Sequence, residues 1–200
     1  MSDDEFPRPG GRWCLDLVAT FGRRHGPDPV ERLPDPPALA RWLAGAGLPA
    51  PARIEEAELV EVRDLREALH RLLRARIAAL APDRADVEVA NRAAARPDLV
   101  PFLDVEGSVR RDGENEVTVA AVMSTLARDG IDVIATTPAE RIRECEHPDC
   151  SLLFFDHTQG NRRRWCSMQR CGNQTKVAGY RERRRGTVGP ASAGTPDECR

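Results

Sequence analysis

The chain has 200 residues, is 40% hydrophobic but only 4% aromatic, and carries a formal net charge of −2. That length suits one medium domain plus a small module, with a core resting on Leu, Val, Ile and Ala. The acidic opening MSDDEFPRPG lacks the apolar segment of a secretory leader, and the longest uncharged apolar stretch near the middle, 117–127, falls short of the roughly 20 residues a bilayer requires. A soluble, cytoplasmic chain without membrane contact is expected, and in a reducing compartment paired cysteines hold metal more often than they form disulfides.

In chain order, Trp13 to Phe21 is an apolar run interrupted by Asp16, short enough for either a helix start or a strand. Asp16 is read as a helix cap and Cys14 as a buried thiol. Asp35 is an N-cap for a short helix whose first turn tolerates Pro36 and Pro37; Leu39, Trp42 and Leu43 share one face, and Gly45 and Gly47 stop it. Between Ile54 and Leu80 the positions Val62, Leu65, Leu69, Leu72, Leu73, Ile77 and Leu80 recur mostly at three- and four-residue steps. Acids at its start and arginines toward its end suit the helix dipole, and Pro82 ends it. A further helix is predicted from Asp83 to about Arg96, ahead of Pro97.

Leu99 to Val119 predicts a β-hairpin turning at Arg111-Asp112-Gly113-Glu114-Asn115, because Asp-Gly favours tight turns. Thr118 to Arg128 predicts a buried helix ending before Gly130. His25 and His70, beside arginines, are expected on the surface without a role. The boundary of this first domain, 1–138, is set at Thr136-Thr137-Pro138. After Arg185 the Gly-, Pro- and Ser-rich tail, 186–200, is expected to be disordered.

The segment 139–185 holds Cys145, Cys150, Cys166 and Cys171 as two C-x4-C pairs with fifteen residues between them. Four thiolates in two pairs suit one structural Zn2+, closed tetrahedrally with no position open for catalysis. His147 and His157 are not needed as ligands. The strand at Leu152 to Asp156, the polar turn at His157 to Asn161 and the helix-prone run from Asn173 complete a treble-clef-like module. The fold class expected is α+β, a mainly helical N-terminal domain with a β-hairpin followed by this four-cysteine module. No Ser/His/Asp set, phosphate loop or His-rich site is visible, so an enzyme is not expected.

Residues 139–185 carry 11 Arg/Lys against 6 Asp/Glu, +5, while the first 138 carry −6. A basic module on an acidic body suggests a polyanionic partner, and arginine offers paired donors to phosphate oxygens. The candidate nucleic-acid contacts are Arg162, Arg163, Arg164, Arg170, Lys176, Arg181, Arg183, Arg184 and Arg185, with the amides of Asn173 and Gln174 able to pair with adenine. Asn173 has a competing local role, bracing the zinc loop.

Arg164-Trp165-Cys166-Ser167-Met168 followed by Cys171-Gly172-Asn173, downstream of Phe154-Phe155-Asp156 and an arginine-rich turn, resembles the signature of the CGNR zinc-finger family. Trp13-Cys14-Leu15-Asp16-Leu17 and Glu31 to Leu43 are similar to the opening of the ABATE domain that precedes the finger in that family. The resemblance implies a stress-induced transcription regulator that binds duplex DNA through the finger, with a small-molecule or stress-sensing role for the first domain. Two positions depart from the pattern: Gln174 replaces the arginine of the family motif, and Ala19-Thr20 stands where Asn-Thr is expected. Zinc knuckles and arginine-rich segments also bind RNA, and a zinc module can dock an acidic protein, so an RNA-binding protein and an interaction adaptor are the alternatives.

Overall fold

The protein is described here by a computed structural model covering residues 6–111 and 116–176. Helix α1 (Trp13–Val18) leads into a two-residue ladder of β1 (Phe21–Gly22) with β2 (Val30–Glu31), antiparallel in the register Phe21 to Glu31. Four helices follow: α2 (Pro36–Gly45), α3 (Glu56–Ile77), α4 (Arg84–Ala94) and α5 (Val119–Thr136), with a small ladder of β3 (Phe102–Leu103) and β4 (Val109–Arg110) ahead of α5. The chain then enters the antiparallel pair β5 (Ile142–Glu144) and β6 (Leu153–Phe155). The architecture is α+β, as the sequence implies. No described helix is long and apolar enough to cross a membrane.

Local chemistry explains most helix ends. Asp35 accepts from the Ala38 amide at 2.8 Å, with prolines in the first turn, and Gly47 turns the chain away at φ +70°. In α3 the Glu58 carboxylate caps the Glu55 amide at 2.8 Å, and the periodic leucines from Leu59 to Leu73 are buried. Leu80 is the exception: α3 ends at Ile77, Ala79 adopts φ +53°, and Leu80 is 68% exposed. Helix α4 is capped by Asp83, which accepts from Ala85 at 2.7 Å.

Helices α1, α3 and α5 pack together with α4 across α3 and α5, burying Leu15, Leu17, Leu65, Leu69, Leu126 and Val133 in one core. Contrary to expectation, α5 does not end before Gly130 but runs through it to Thr136. A β-carbon at Gly130 would stand 2.5 Å from Leu69 Cδ2 and 3.5 Å from Cys14 Cβ. Glycine marks here a close crossing of α5 with α1 and α3, where packing outweighs the residue's usual cost to a helix.

Three other expectations change. The hairpin after α4 turns at Asp104 to Ser108, where Asp104 accepts from the Glu106 and Ser108 amides and Gly107 takes φ +81°. Thus both strands come from the first apolar run alone, and the turn expected at 111–115 falls mostly on residues 112–115, outside the described set. Asp16 lies inside α1 and is not its cap; the free Cys14 amide is instead capped by Asp129 of α5, at 2.8 Å. Burial pushes the Asp16 carboxyl up to about 7, against the nearby Arg8, and its Oδ1 has no hydrogen-bond partner among the described residues. His70 is not on the surface: it is buried on α3, and desolvation, reinforced by Arg24, lowers it to about 4. Cys14 is buried as expected.

The segment after Pro138 docks on this body. Ile142 and Leu153, from the two strands of the last ladder, are buried in the same core as α1, α3 and α5. Conversely Ala19, just after α1, is fully buried in the small cluster of Cys145, Leu152, Phe154, Cys166 and Cys171. Polar contacts tie the seam as well: Arg24 N donates to Ser151 Oγ at 2.9 Å, and Arg74 and His25 both reach Glu144.

Candidate metal centre and basic surface

The ladder of β5 and β6 brackets the first knuckle. Cys145 follows β5, its amide donating to Leu152 O at 3.0 Å, and the loop to Cys150 closes where the Cys150 amide donates to His147 O at 2.9 Å. The strand expected at Leu152 to Asp156 therefore pairs upstream across the knuckle, with Ile142–Glu144, and not within the stretch between the cysteine pairs. Cys166 precedes a π-helical turn, Met168–Gly172, that is capped by Ser167 and contains Cys171, and the chain continues as helix over 173–176. Gly172 permits this turn to fold tightly, since a β-carbon there would meet Met168 Sδ at 2.7 Å and Trp165 at 3.2 Å.

The four sulfurs lie within 4.8 Å of one another, with Cys150 to Cys166 at 3.7 Å and Cys166 to Cys171 at 3.6 Å. A disulfide would bring sulfurs to about 2.05 Å. Tetrahedral zinc with Zn–S of about 2.3 Å sets its sulfurs about 3.8 Å apart, and the observed spacings match that edge. Hydrogen bonds from Cys150 and Cys166 hold Cys145 well below the usual thiol range. Cys150 and Cys166 are pushed up, first by their hydrogen bonds to Cys145 and then by burial or a second sulfur, and burial raises Cys171 to about 12. Four thiolates at this separation repel strongly without a cation, so the donor set fits one structural zinc ion. Neither His147 nor His157 belongs to it: His147 Nδ1 accepts from the Asp149 amide, and the His157 ring lies 4.3 Å from that of Phe155.

Asp156 is a residue whose importance the sequence signalled only through the Phe-x-Asp pattern. Burial raises it, but hydrogen bonds from the Thr158 hydroxyl at 2.6 Å and the Thr158 and Arg163 amides at 2.9 Å win, holding it at about 2. Through Arg163 this carboxylate fixes the approach to Cys166. Arg141 braces the same loop by donating to the carbonyls of Asp156 and Thr158.

The basic residues divide. Arg163 is built into the module, donating to the carbonyls of Trp165 and Cys166 and stacking on Phe154 at 4.8 Å. Arg164 lies over Trp165 and pairs with Glu146 at 2.6 Å, its side chain still 62% exposed. Arg162, Asn173, Gln174 and Lys176 are exposed, and Arg170 is half-buried beside Cys171. Arg181, Arg183, Arg184 and Arg185 lie outside the described residues.

A second charged cluster, unforeseen in the sequence, sits in the N-terminal body. Arg66 on α3, 4% exposed, makes a paired contact with Glu31 at 2.7 Å through each nitrogen and reaches Thr20 at 3.2 Å; Arg24 is clamped to Glu67 at 2.5 Å. Separations of 35 and 43 residues hid these pairs.

Two family models match the chain. One, for ABATE, "Putative stress-induced transcription regulator", covers residues 11–137, and the other, for the CGNR zinc finger, covers 141–184. No curated protein matches it. The ABATE match spans more than half of the residues, and the four-sulfur cluster lies inside the second match; the chain belongs to the ABATE family and carries a CGNR zinc finger.

Proposed function

We propose that this protein is a non-enzymatic, DNA-binding transcriptional regulator, in which the zinc-held module contacts the phosphate backbone and the N-terminal body receives a ligand or stress signal. The observation that carries this reading is the exposure of Arg162, Arg164, Gln174 and Lys176 on a loop and helix fixed to the metal cluster. Cations on a rigid mount bind polyanions with little ordering cost, and their excess is confined to this module. Asn173, exposed and making no side-chain hydrogen bond among the described residues, stays available for a base edge.

The signal-receiving part is supported by a cleft of about 390 Å3 between α3, α4 and α5. Its floor is Val89, Ala93 and Met123, and its rims are Glu61 and Asp64 on one side and Arg92 and Arg96 on the other. That volume lies within the roughly 300–1,000 Å3 of small-molecule sites.

The test is binding of zinc-loaded protein to duplex DNA, with single-stranded RNA as competitor, across a salt series. Each phosphate neutralised on a duplex contributes about −0.9 to the log–log salt slope. The Arg162→Gln/Arg164→Gln variant should flatten that slope, and preferential capture by RNA would move the reading to an RNA-binding protein. Absence of any nucleic-acid binding at low salt would overturn it.

A further inference from the structure

The turn between β1 and β2 is anchored at both ends. Arg24 N donates to Ser151 Oγ, between Cys150 and Leu152, while the Arg24 guanidinium is held by Glu67 and stacks on Phe21 at 4.7 Å. Gly22 lets the Arg32 guanidinium lie on the backbone, since a β-carbon there would be 2.6 Å from Arg32 Nη1. Arg23 adopts φ +54°, an uncommon conformation for a residue with a side chain, secured by Gly26 N donating to Arg23 O at 3.0 Å. These constraints fix where Arg23, in the turn, and Arg32, just after β2, stand: on one wall of a cleft of about 140 Å3 whose other wall is the zinc module. That second wall supplies Arg170, Gln174 and His147 beside the ligand cysteines Cys150 and Cys171, with Asp149 as the one carboxylate of the lining among the described residues.

The cleft thus gathers three arginines from two parts of the chain more than 130 residues apart, beside the metal cluster. Its volume is well below the roughly 300–1,000 Å3 of small-molecule sites and ample for a phosphate group. Guanidinium groups supply the forked donors that phosphate oxygens accept. We propose that this cleft seats a backbone phosphate of the bound nucleic acid, so that the polyanion surface is composite, with Arg23 and Arg32 of the N-terminal body completing the zinc module. The inference rests on the nucleic-acid reading above. It also gives the N-terminal body a direct hold on the DNA: any movement of the β1–β2 turn against the zinc module opens or closes a phosphate site.

The experiment measures duplex DNA binding by the full zinc-loaded chain across salt, for the unaltered protein, Arg23→Gln, Arg23→Lys, Gln174→Arg and Arg84→Gln. Zinc content and melting temperature are checked on each. Arg23→Gln should flatten the log–log slope by about 0.9 and weaken binding several-fold, Arg23→Lys should restore the slope, and Gln174→Arg should steepen it by about 0.9. Arg84→Gln, exposed on α4 and paired with Glu88, should leave the slope unchanged. Superimposed isotherms for the unaltered chain, Arg23→Gln and Gln174→Arg would overturn the composite surface while leaving DNA binding intact. No duplex binding by the unaltered chain would overturn both readings. The melting temperature in inorganic phosphate against chloride at matched ionic strength separates the two phosphate sources. A rise abolished in Arg23→Gln, with duplex binding unchanged, would assign the cleft to free phosphate and overturn the backbone site.

Discussion

Gly130→Ala discriminates sharply between a helix held by propensity and one held by packing. In an exposed helix interior the change would stabilise by about 0.8–1 kcal/mol. Here the new methyl would stand 2.5 Å from Leu69 Cδ2, where carbon atoms prefer roughly 3.5–4.0 Å. Leu69 is fully buried, its other methyl Cδ1 would stand 3.4 Å from the new carbon and Cys14 Cβ 3.5 Å from it, so the leucine must shift within a packed core. Overpacking of this kind costs about 1–3 kcal/mol, and an overlap of more than about 1 Å belongs at the upper end. After the propensity gain, a net loss of about 1–2 kcal/mol is expected. Urea unfolding of the zinc-loaded chain measures it, as a lower midpoint at unchanged slope. A Leu69→Ala background makes room for the methyl, so the double variant should be more stable than the two single losses predict. Equal or greater stability of Gly130→Ala alone would refute the close crossing of α5 with α1 and α3.

Leu153→Ala removes a fully buried side chain that the last ladder contributes to the N-terminal core, and should cost about 2–5 kcal/mol in a single unfolding transition; two transitions by calorimetry, with the first body unaffected, would contradict a shared core. Asp156→Ala removes the acceptor that orders the approach to Cys166, and should weaken zinc retention about 10–100-fold in a chelator competition; unchanged retention would reduce Asp156 to a bystander. His70 titrates near 4 when folded against 6.5 when unfolded, so the native state binds fewer protons in that window. Its contribution is therefore present above about pH 6.5 and is lost as pH falls toward 4, an effect of about 3 kcal/mol. Comparing unfolding of the unaltered chain with His70→Gln isolates it from Asp16 and from proton competition at the zinc site; parallel pH profiles would show that His70 is not desolvated.

The zinc site was legible because its chemistry is local. Two C-x4-C pairs and the Arg-Trp-Cys-Ser-Met run name the ligands within 27 residues, and the fold only had to fold them together. Helices α2, α3 and α4 were legible for the same reason, their caps and apolar periods lying within each segment. What escaped depends on residues far apart in sequence. Gly130 reads as a stop until Leu69 and Cys14 are placed against it. Asp16 reads as a cap because Asp129, the actual cap of α1, lies 115 residues from Cys14. His70 sits on the α3 face that turns inward, and local arginines misdirected its assignment. The partner of the 152–156 strand lay upstream of the first cysteine, so spacing between the pairs could not reveal it. The arginines of the β1–β2 turn carry no motif at all; only the docking of Arg24 on Ser151 brings them to the zinc module.

The central claim is that a metal-held cationic surface grips nucleic acid, and zinc removal tests it most directly. The measurement is duplex DNA affinity across salt for the zinc-loaded chain, the chelator-stripped chain and the stripped chain given back one equivalent of zinc. Salt-sensitive binding should disappear on stripping and return with the metal, because the π-helical turn and the 173–176 helix are oriented by the four sulfurs. Binding with the same affinity and salt slope in the stripped chain would contradict it, reducing the basic residues to a loose polycation that needs no metal.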